Sequence, residues 1–208
     1  EYTSIGDDEN ALRIDGAEAV LTNITVSKNG GSSSNTENGD FYGQNAGLLA
    51  TNGAKVTISN STFNTGAVNG NAVFSYGEGT SVTISDSVIR TTERNSGGIQ
   101  TTGGGTMTAN NLDVETQGNS SAAIRTDRGG GTVTVNGGKY ATNGTGSPAV
   151  YSTADVTVND AELTASASEG IVVEGKNSVT LNNCTVSGSM TGTYNGDSDE
   201  NIHTIMIY

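Results

Sequence analysis

The 208-residue chain reads as an all-β parallel solenoid of about seven full coils, each made of three short strands, on three observations. An eight-residue phrase recurs six times with its inner spacing unchanged: Val56-x-Ile58-x-x-Ser61-x-Phe63, Val82-x-Ile84-x-x-Ser87-x-Ile89, Met107-x-Ala109-x-x-Leu112-x-Val114, Val133-x-Val135-x-x-Gly138-x-Tyr140, Val156-x-Val158-x-x-Ala161-x-Leu163 and Val179-x-Leu181-x-x-Cys184-x-Val186. Successive copies start 26, 25, 26, 23 and 23 residues apart, a period that builds stacked coils rather than a globule. The second observation is period-two alternation throughout, which is strand. No stretch carries a 3.6-residue stripe of helical length, so helix is not expected. The third is 30 Gly and one Pro among many Ser, Thr and Asn, which supply tight corners. The Gly residues have no three-residue period, which excludes collagen.

Each coil takes its first strand from a pair of inward positions upstream of the phrase: Leu48 and Ala50, Val73 and Ser75, Ile99 and Thr101, Ile124 and Thr126, Val150 and Ser152, Ile171 and Val173. Leu12 and Ile14 serve a weaker seventh copy, Ala19-x-Leu21-x-x-Ile24-x-Val26. The two halves of the phrase are the second and third strands. The corner between them carries Asn60, Asp86, Asn111, Gly137, Asp160 and Asn183, residue types that tolerate the left-handed region, so φ > 0 is expected there. Coils stacked at roughly 4.8 Å complete a parallel β-helix. Segments 27–45 and 188–201 lengthen a corner, and inserted loops of a solenoid tend to collect on a binding face. The final NIHTIMIY is expected to begin an eighth coil and stops in mid-strand. An open apolar end of this kind suggests further domains in a longer protein, or a neighbour. The whole of 1–208 is read as one domain.

The phrases VTISNSTF (56–63), VTISDSVI (82–89) and VTLNNCTV (179–186) resemble the right-handed parallel β-helix proteins of the pectate-lyase-like superfamily. The likeness is greatest to Gly/Thr/Asn-rich, adhesin-like members on bacterial cell surfaces, and it covers about residues 10–190. It implies a right-handed single-stranded β-helix and an extracellular or cell-surface setting. It does not imply one activity, because the superfamily holds lyases, hydrolases, adhesins and passive stalks.

A formal charge of -13 and a pI near 4.2 disfavour nucleic acid and anionic membrane as partners, since there is no basic stripe. There is no 18-residue apolar run for direct membrane insertion and no signal peptide, as expected of a mature fragment. Cys184 occupies the small inward position shared with Ser61, Ser87, Gly138 and Ala161, and reads as a buried structural thiol. Asp7, Asp8 and Glu9, with Asp197, Asp199 and Glu200, are oxygen donors that could hold Ca²⁺. They match neither the EF-hand nor the nine-residue calcium-roll spacing, so solvated charge is the expectation and no cofactor is assigned.

Three function classes compete. Catalysis by a carbohydrate-active lyase or hydrolase needs carboxylates gathered beside a base. The outward ranks instead alternate in sign: Asp113 meets Lys139, Lys139 meets Glu162, and Arg90 meets Glu115, which is modest cross-strand pairing. The remaining catalytic candidates are Glu93, Arg94, Arg125, Asp127 and Arg128, while His203 lies near the terminus. Binding draws on the outward rank Leu49, Phe74, Gln100, Arg125, Tyr151 and Val172, with Tyr76 beside it. Phe41, Tyr42 and Tyr194 lie in the insertions. Aromatic rings with polar flanks suit a glycan or a host or neighbouring-cell protein, unless segment 27–45 covers them. Ice binding draws on the ladder Thr57, Thr83, Thr108, Thr134, Thr157 and Thr180, which Lys55 and Asp155 interrupt on one flank. The reading preferred on sequence is an adhesin-like binding or display module. The enzyme is the alternative, and ice binding comes third.

Overall fold

The computed structural model of the chain describes residues 1–190 and 203–208. Three rows of parallel strands wind around one interior. The first row is an eight-stranded sheet, Leu12–Asp15, Leu48–Thr51, Val73–Tyr76, Ile99–Thr102, Ile124–Thr126, Val150–Ser152, Ile171–Val173 and Ile205–Ile207. The second row holds Glu18–Thr22, Lys55–Ser59, Ser81–Ser85, Asp155–Asn159 and Ser178–Asn182. The third holds Tyr2–Ser4, Thr25–Lys28, Thr62–Thr65, Val88–Thr91, Glu162–Ala165 and Thr185–Gly188. Gly105–Thr116 and Gly131–Thr142 run through both rows and join them into one 13-stranded sheet.

The register follows the repeat. Val56, Val82, Met107, Val133, Val156 and Val179 pair in succession, with Ala19 ahead of them. All but Ala19 and the last are at most 3% exposed, and each such aliphatic side chain contributes about 1.5–3 kcal/mol by leaving water. The terminal strand begins the eighth coil, with Ile171 opposite Ile205 and Val173 opposite Ile207. Corner residues Asn60, Asp86, Asn111, Asp160 and Asn183 have φ between 48° and 54°, Asn23 has 56°, and Gly137 has 71°. The expectation of a left-handed corner therefore holds at every level. Side-chain bonds from Asn111 to Asp86 (2.8 Å) and from Asn183 to Asp160 (2.7 Å) tie neighbouring corners together.

A second ladder closes the opposite corner. Buried Thr91, Thr116 and Thr142 stack in register, and each donates its hydroxyl to the carbonyl of the serine five residues on, Ser96, Ser121 and Ser147. Those serines donate in turn to carbonyls of the preceding coil, Ala67, Glu93 and Gly118. They also accept backbone N–H bonds of 2.9 Å from Gly70, Ser96 and Ser121. A corner buried between stacked coils has no water to satisfy its peptide groups, and these hydroxyls take that role.

The first insertion departs from two expectations. Ser27 and Lys28 belong to a strand, so the insertion starts two residues later, and it contains a helix, Thr36–Tyr42. The Asn35 side chain caps its N-terminus and Gly43, at φ 72°, ends it. Seven residues are too few for a visible stripe, but the Asn cap and Gly stop are ordinary helix punctuation.

Tyr140 is 1% exposed inside the coil, and burial raises its pKa well above the ordinary phenol value of 10.0. The folded state therefore keeps a proton that the unfolded chain releases, and stability falls as pH rises above about 10. In Tyr140→Phe this part of the alkaline loss should vanish. Urea midpoints of the two proteins at pH 8 and pH 11 will check it.

Candidate functional site

The insertion lies over the outward face of the first sheet and decides which residues remain available. Leu49, Phe74 and Ala46 form a small apolar cluster beneath it, with Tyr76 at its edge. Gln100 donates to the Asp40 carbonyl (2.6 Å) and Thr102 to the Phe41 carbonyl (2.6 Å). Leu49, Phe74 and Gln100 are at most 3% exposed, so these three are not an exposed binding rank. Segment 27–45 covers them, because bonding the helix backbone to the sheet and burying two large apolar side chains are both favourable. Val172, at 7% exposed, is buried as well. Tyr42 stays 46% exposed and meets the Tyr76 ring edge-on at 5.4 Å. Arg128 stacks on Phe41 at 4.0 Å and pairs with Glu37 at 3.6 Å.

Where the helix ends, Arg125 lies between two carboxylates. It reaches Asp127 at 2.7 Å and Asp40 at 3.5 Å, and these side chains are 12%, 16% and 12% exposed. Burial raises the Asp40 pKa, while Arg125 opposes the rise and Asp127 adds to it. Burial works against the Arg125 charge, but Asp40 and Asp127 outweigh it and hold the proton on. Asn69 and Asn95 donate to the Asp40 carboxylate at 3.0 and 3.4 Å. Tyr151, opposite Arg125 in the next coil, donates to Glu174, and burial followed by that bond raises its pKa. The cluster fastens the insertion to the sheet. Glu93 and Arg94 are exposed, and no ion pair joins either to Arg125, Asp127 or Arg128 among the described residues. The five catalytic candidates are thus not joined into one ion-pair network among the described residues.

The charge alternation is present, with one change of partner. Arg90 pairs with Asp113 at 2.8 Å and Glu115 at 3.9 Å, and Lys139 with Glu162 at 3.9 Å. Asp113 turns to Arg90, although Lys139 is its register neighbour.

The outward face of the second row is the most regular surface. Thr57, Thr83, Thr108, Thr134, Thr157 and Thr180 pair level by level. Beside them Asn110, Asn136, Asn159 and Asn182 form an amide ladder, each donating to the residue before it at 2.7–3.2 Å, with Ser85 as the first acceptor. The other flank runs Lys55, Ser81, Thr106, Thr132, Asp155 and Ser178, and two coils therefore carry Thr-x-Thr pairs. Sequence reading found the threonine rank and the residue types beside it. The hydrogen bonding of the amides emerges only from the stacked register.

Of the calcium candidates, Asp7 accepts from Ser32 N–H (2.8 Å) and Asp8 from Ser34 N–H (2.6 Å), while Glu9 accepts from Ser4 (2.9 Å). Asp7 and Asp8 thus hold the start of the insertion, and Glu9 bonds to the strand Tyr2–Ser4. Asp197, Asp199, Glu200 and Tyr194 lie outside the described residues. Among the described residues no group of three or more His, Cys, Asp or Glu gathers as a metal site. Cys184 faces inward as expected, yet it is only half-buried, at the last described level of its row. His203 lies 3.3 Å from Glu169. Lys28 is the cation that sequence reading passed over. It is fully buried at the inward position opposite Thr65 and donates to Ser4 Oγ (3.2 Å) and Gly6 O (2.5 Å). Burial lowers its pKa, and the nearby acidic residues Glu9, Asp7 and Asp8 oppose that.

Repeated parallel coils, left-handed corners and a single interior define a β-solenoid. The family model described as the right handed beta helix region matches residues 10–205, and the chain belongs to that family. No curated protein and no solved structure matches the chain.

Proposed function

We propose that the chain is a binding or display module of an extracellular surface protein, and that it engages a glycan through the outward face of its second row of strands. The observation that carries this reading is the threonine ladder lying beside a hydrogen-bonded amide ladder. Hydroxyl and amide groups donate and accept alike, which suits polyhydroxylated ligands. They recur at roughly 4.8 Å along a rigid stack, so individually weak contacts add through effective concentration. The charge of -13 steers the module away from polyanions.

A lyase or hydrolase finds less support. The two best-placed carboxylates, Asp40 and Asp127, already share Arg125 beneath the insertion. Ice binding rests on Thr-x-Thr pairs in two coils, with Lys55 and Asp155 breaking the same flank.

The test is an immobilised glycan panel probed with the wild type and with the double variant Thr108→Lys/Thr134→Lys, followed by analysis of any bound glycan for cleavage. Binding that disappears in the double variant, with the glycan intact, is the expected result. Binding that survives the substitutions overturns this face as the site, and released product overturns the non-catalytic reading.

A further inference from the structure

The corner between the second and third rows is side-chain-bearing at every full level except one. Asn60, Asp86, Asn111, Asp160 and Asn183 fill it, whereas Gly137 leaves it empty. The register places Gly137 between Asn111 in the coil before and Asp160 in the coil after. The bonds Asn111 to Asp86 and Asn183 to Asp160 both stop at this gap. A shallow open depression lies beside this gap, with Asn111, Asp160 and Asn183 along the corner and Gly138, Lys139 and Glu162 at its side.

Packing requires one of the two glycines and not the other. A Cβ at Gly138 would meet the Leu112 carbonyl oxygen at 2.4 Å, so that position must lack a side chain. A Cβ at Gly137 would meet nothing within 4 Å. Its φ of 71° is close to the 48–54° that Asn and Asp adopt at the other full levels. An asparagine would therefore fit at 137, and the missing side chain is not a demand of the fold.

We propose that this notch is a subsite for one neutral hexopyranose unit of a glycan. It adjoins the amide ladder at Asn136, and it rests on the proposal that this side of the helix faces a glycan. The gap spans two coil spacings, roughly 9.6 Å, which admits a single six-membered ring with its hydroxyls. Acceptors and donors stand together around it: the Asp160 and Glu162 carboxylates, the Asn111 and Asn183 amides and the Lys139 ammonium. A sugar's vicinal hydroxyls, which donate to carboxylates and accept from ammonium and amide N–H, match that mixture. The two carboxylates and the net charge of -13 disfavour an anionic sugar.

The experiment is an ¹H–¹⁵N NMR titration of the full chain with the methyl pyranosides of glucose, galactose and mannose. The expected result is saturable shifts, for at least one of the three, in the Gly137 and Gly138 backbone and the Asn111 and Asn183 side-chain amides. Gly137→Asn should abolish them while its melting temperature stays close to that of the wild type. No saturable shift with any of the three probes, or shifts that persist in Gly137→Asn, would overturn the proposal. Thr108→Lys/Thr134→Lys separates the two readings: pyranoside shifts that survive in it while glycan-panel binding is independent of it retain the notch and reject the threonine face.

Discussion

Gly144→Ala should destabilise the protein by about 3 kcal/mol or more, the upper range for forcing atoms into a packed site. A Cβ built at Gly144 lies 1.8 Å from the Gly118 carbonyl oxygen and 2.3 Å from its carbon. Both are backbone atoms of the preceding coil, so no rotamer change can relieve the contact, and the two coils must separate. The same carbonyl accepts the Ser147 hydroxyl at 2.8 Å. Separation would strip a buried acceptor of its donor, at a further cost of about 1–3 kcal/mol. The check is the urea midpoint, with Gly137→Asn as the control that should lose little or nothing. A loss in Gly144→Ala no larger than in that control would mean that the two coils can part at this corner with little penalty.

That contrast also shows what a one-dimensional pattern can reveal. The Val56 to Val179 column and the φ > 0 corner are legible because each follows from residues a few places apart, repeated at a near-constant period. The Thr–Ser corner also recurs, as Thr91 to Ser96, Thr116 to Ser121 and Thr142 to Ser147. Its meaning nevertheless depends on bonds to carbonyls 28 or 29 residues away, which only the stacked coils bring near. The helix of the insertion was signalled locally by Asn35 and Gly43, but it is too short for periodicity to report. Its landing place was not signalled at all. Asp40 meets residues 60 and 85 positions further on, Gln100 and Arg125, and no sequence interval marks that pairing. Lys28 misleads for a related reason: its type suggests a solvated loop, whereas its position in the inward column buries it.

Arg125→Ala should free the insertion from the first sheet and destabilise the protein by about 3–5 kcal/mol, the cost of removing one member of a buried ionic group. Asp40 and Asp127 would be left facing each other without their shared cation. Asp40 is already pushed toward its neutral form by burial, so in the variant it should take up a proton more readily still. The sign of the pH response follows. A carboxyl whose folded pKa is raised binds more protons folded than unfolded, so its contribution to stability falls as pH climbs from the unfolded value of 3.8 through the raised folded one. The variant's stability deficit should therefore be smaller in mild acid than at pH 7. Arg125→Ala/Asp40→Asn, which removes one of the opposed charges, should recover part of the loss at pH 7. Released, the insertion would uncover Leu49 and Phe74, both nearly inaccessible in the intact protein. Amide exchange in residues 29–47 should accelerate, and an apolar dye should bind the variant and not the wild type. Unchanged exchange there would show that the Leu49–Phe74 contact and the Gln100 and Thr102 bonds hold the insertion without the ionic group. Arg125 would then be a passenger in the attachment rather than its fastening.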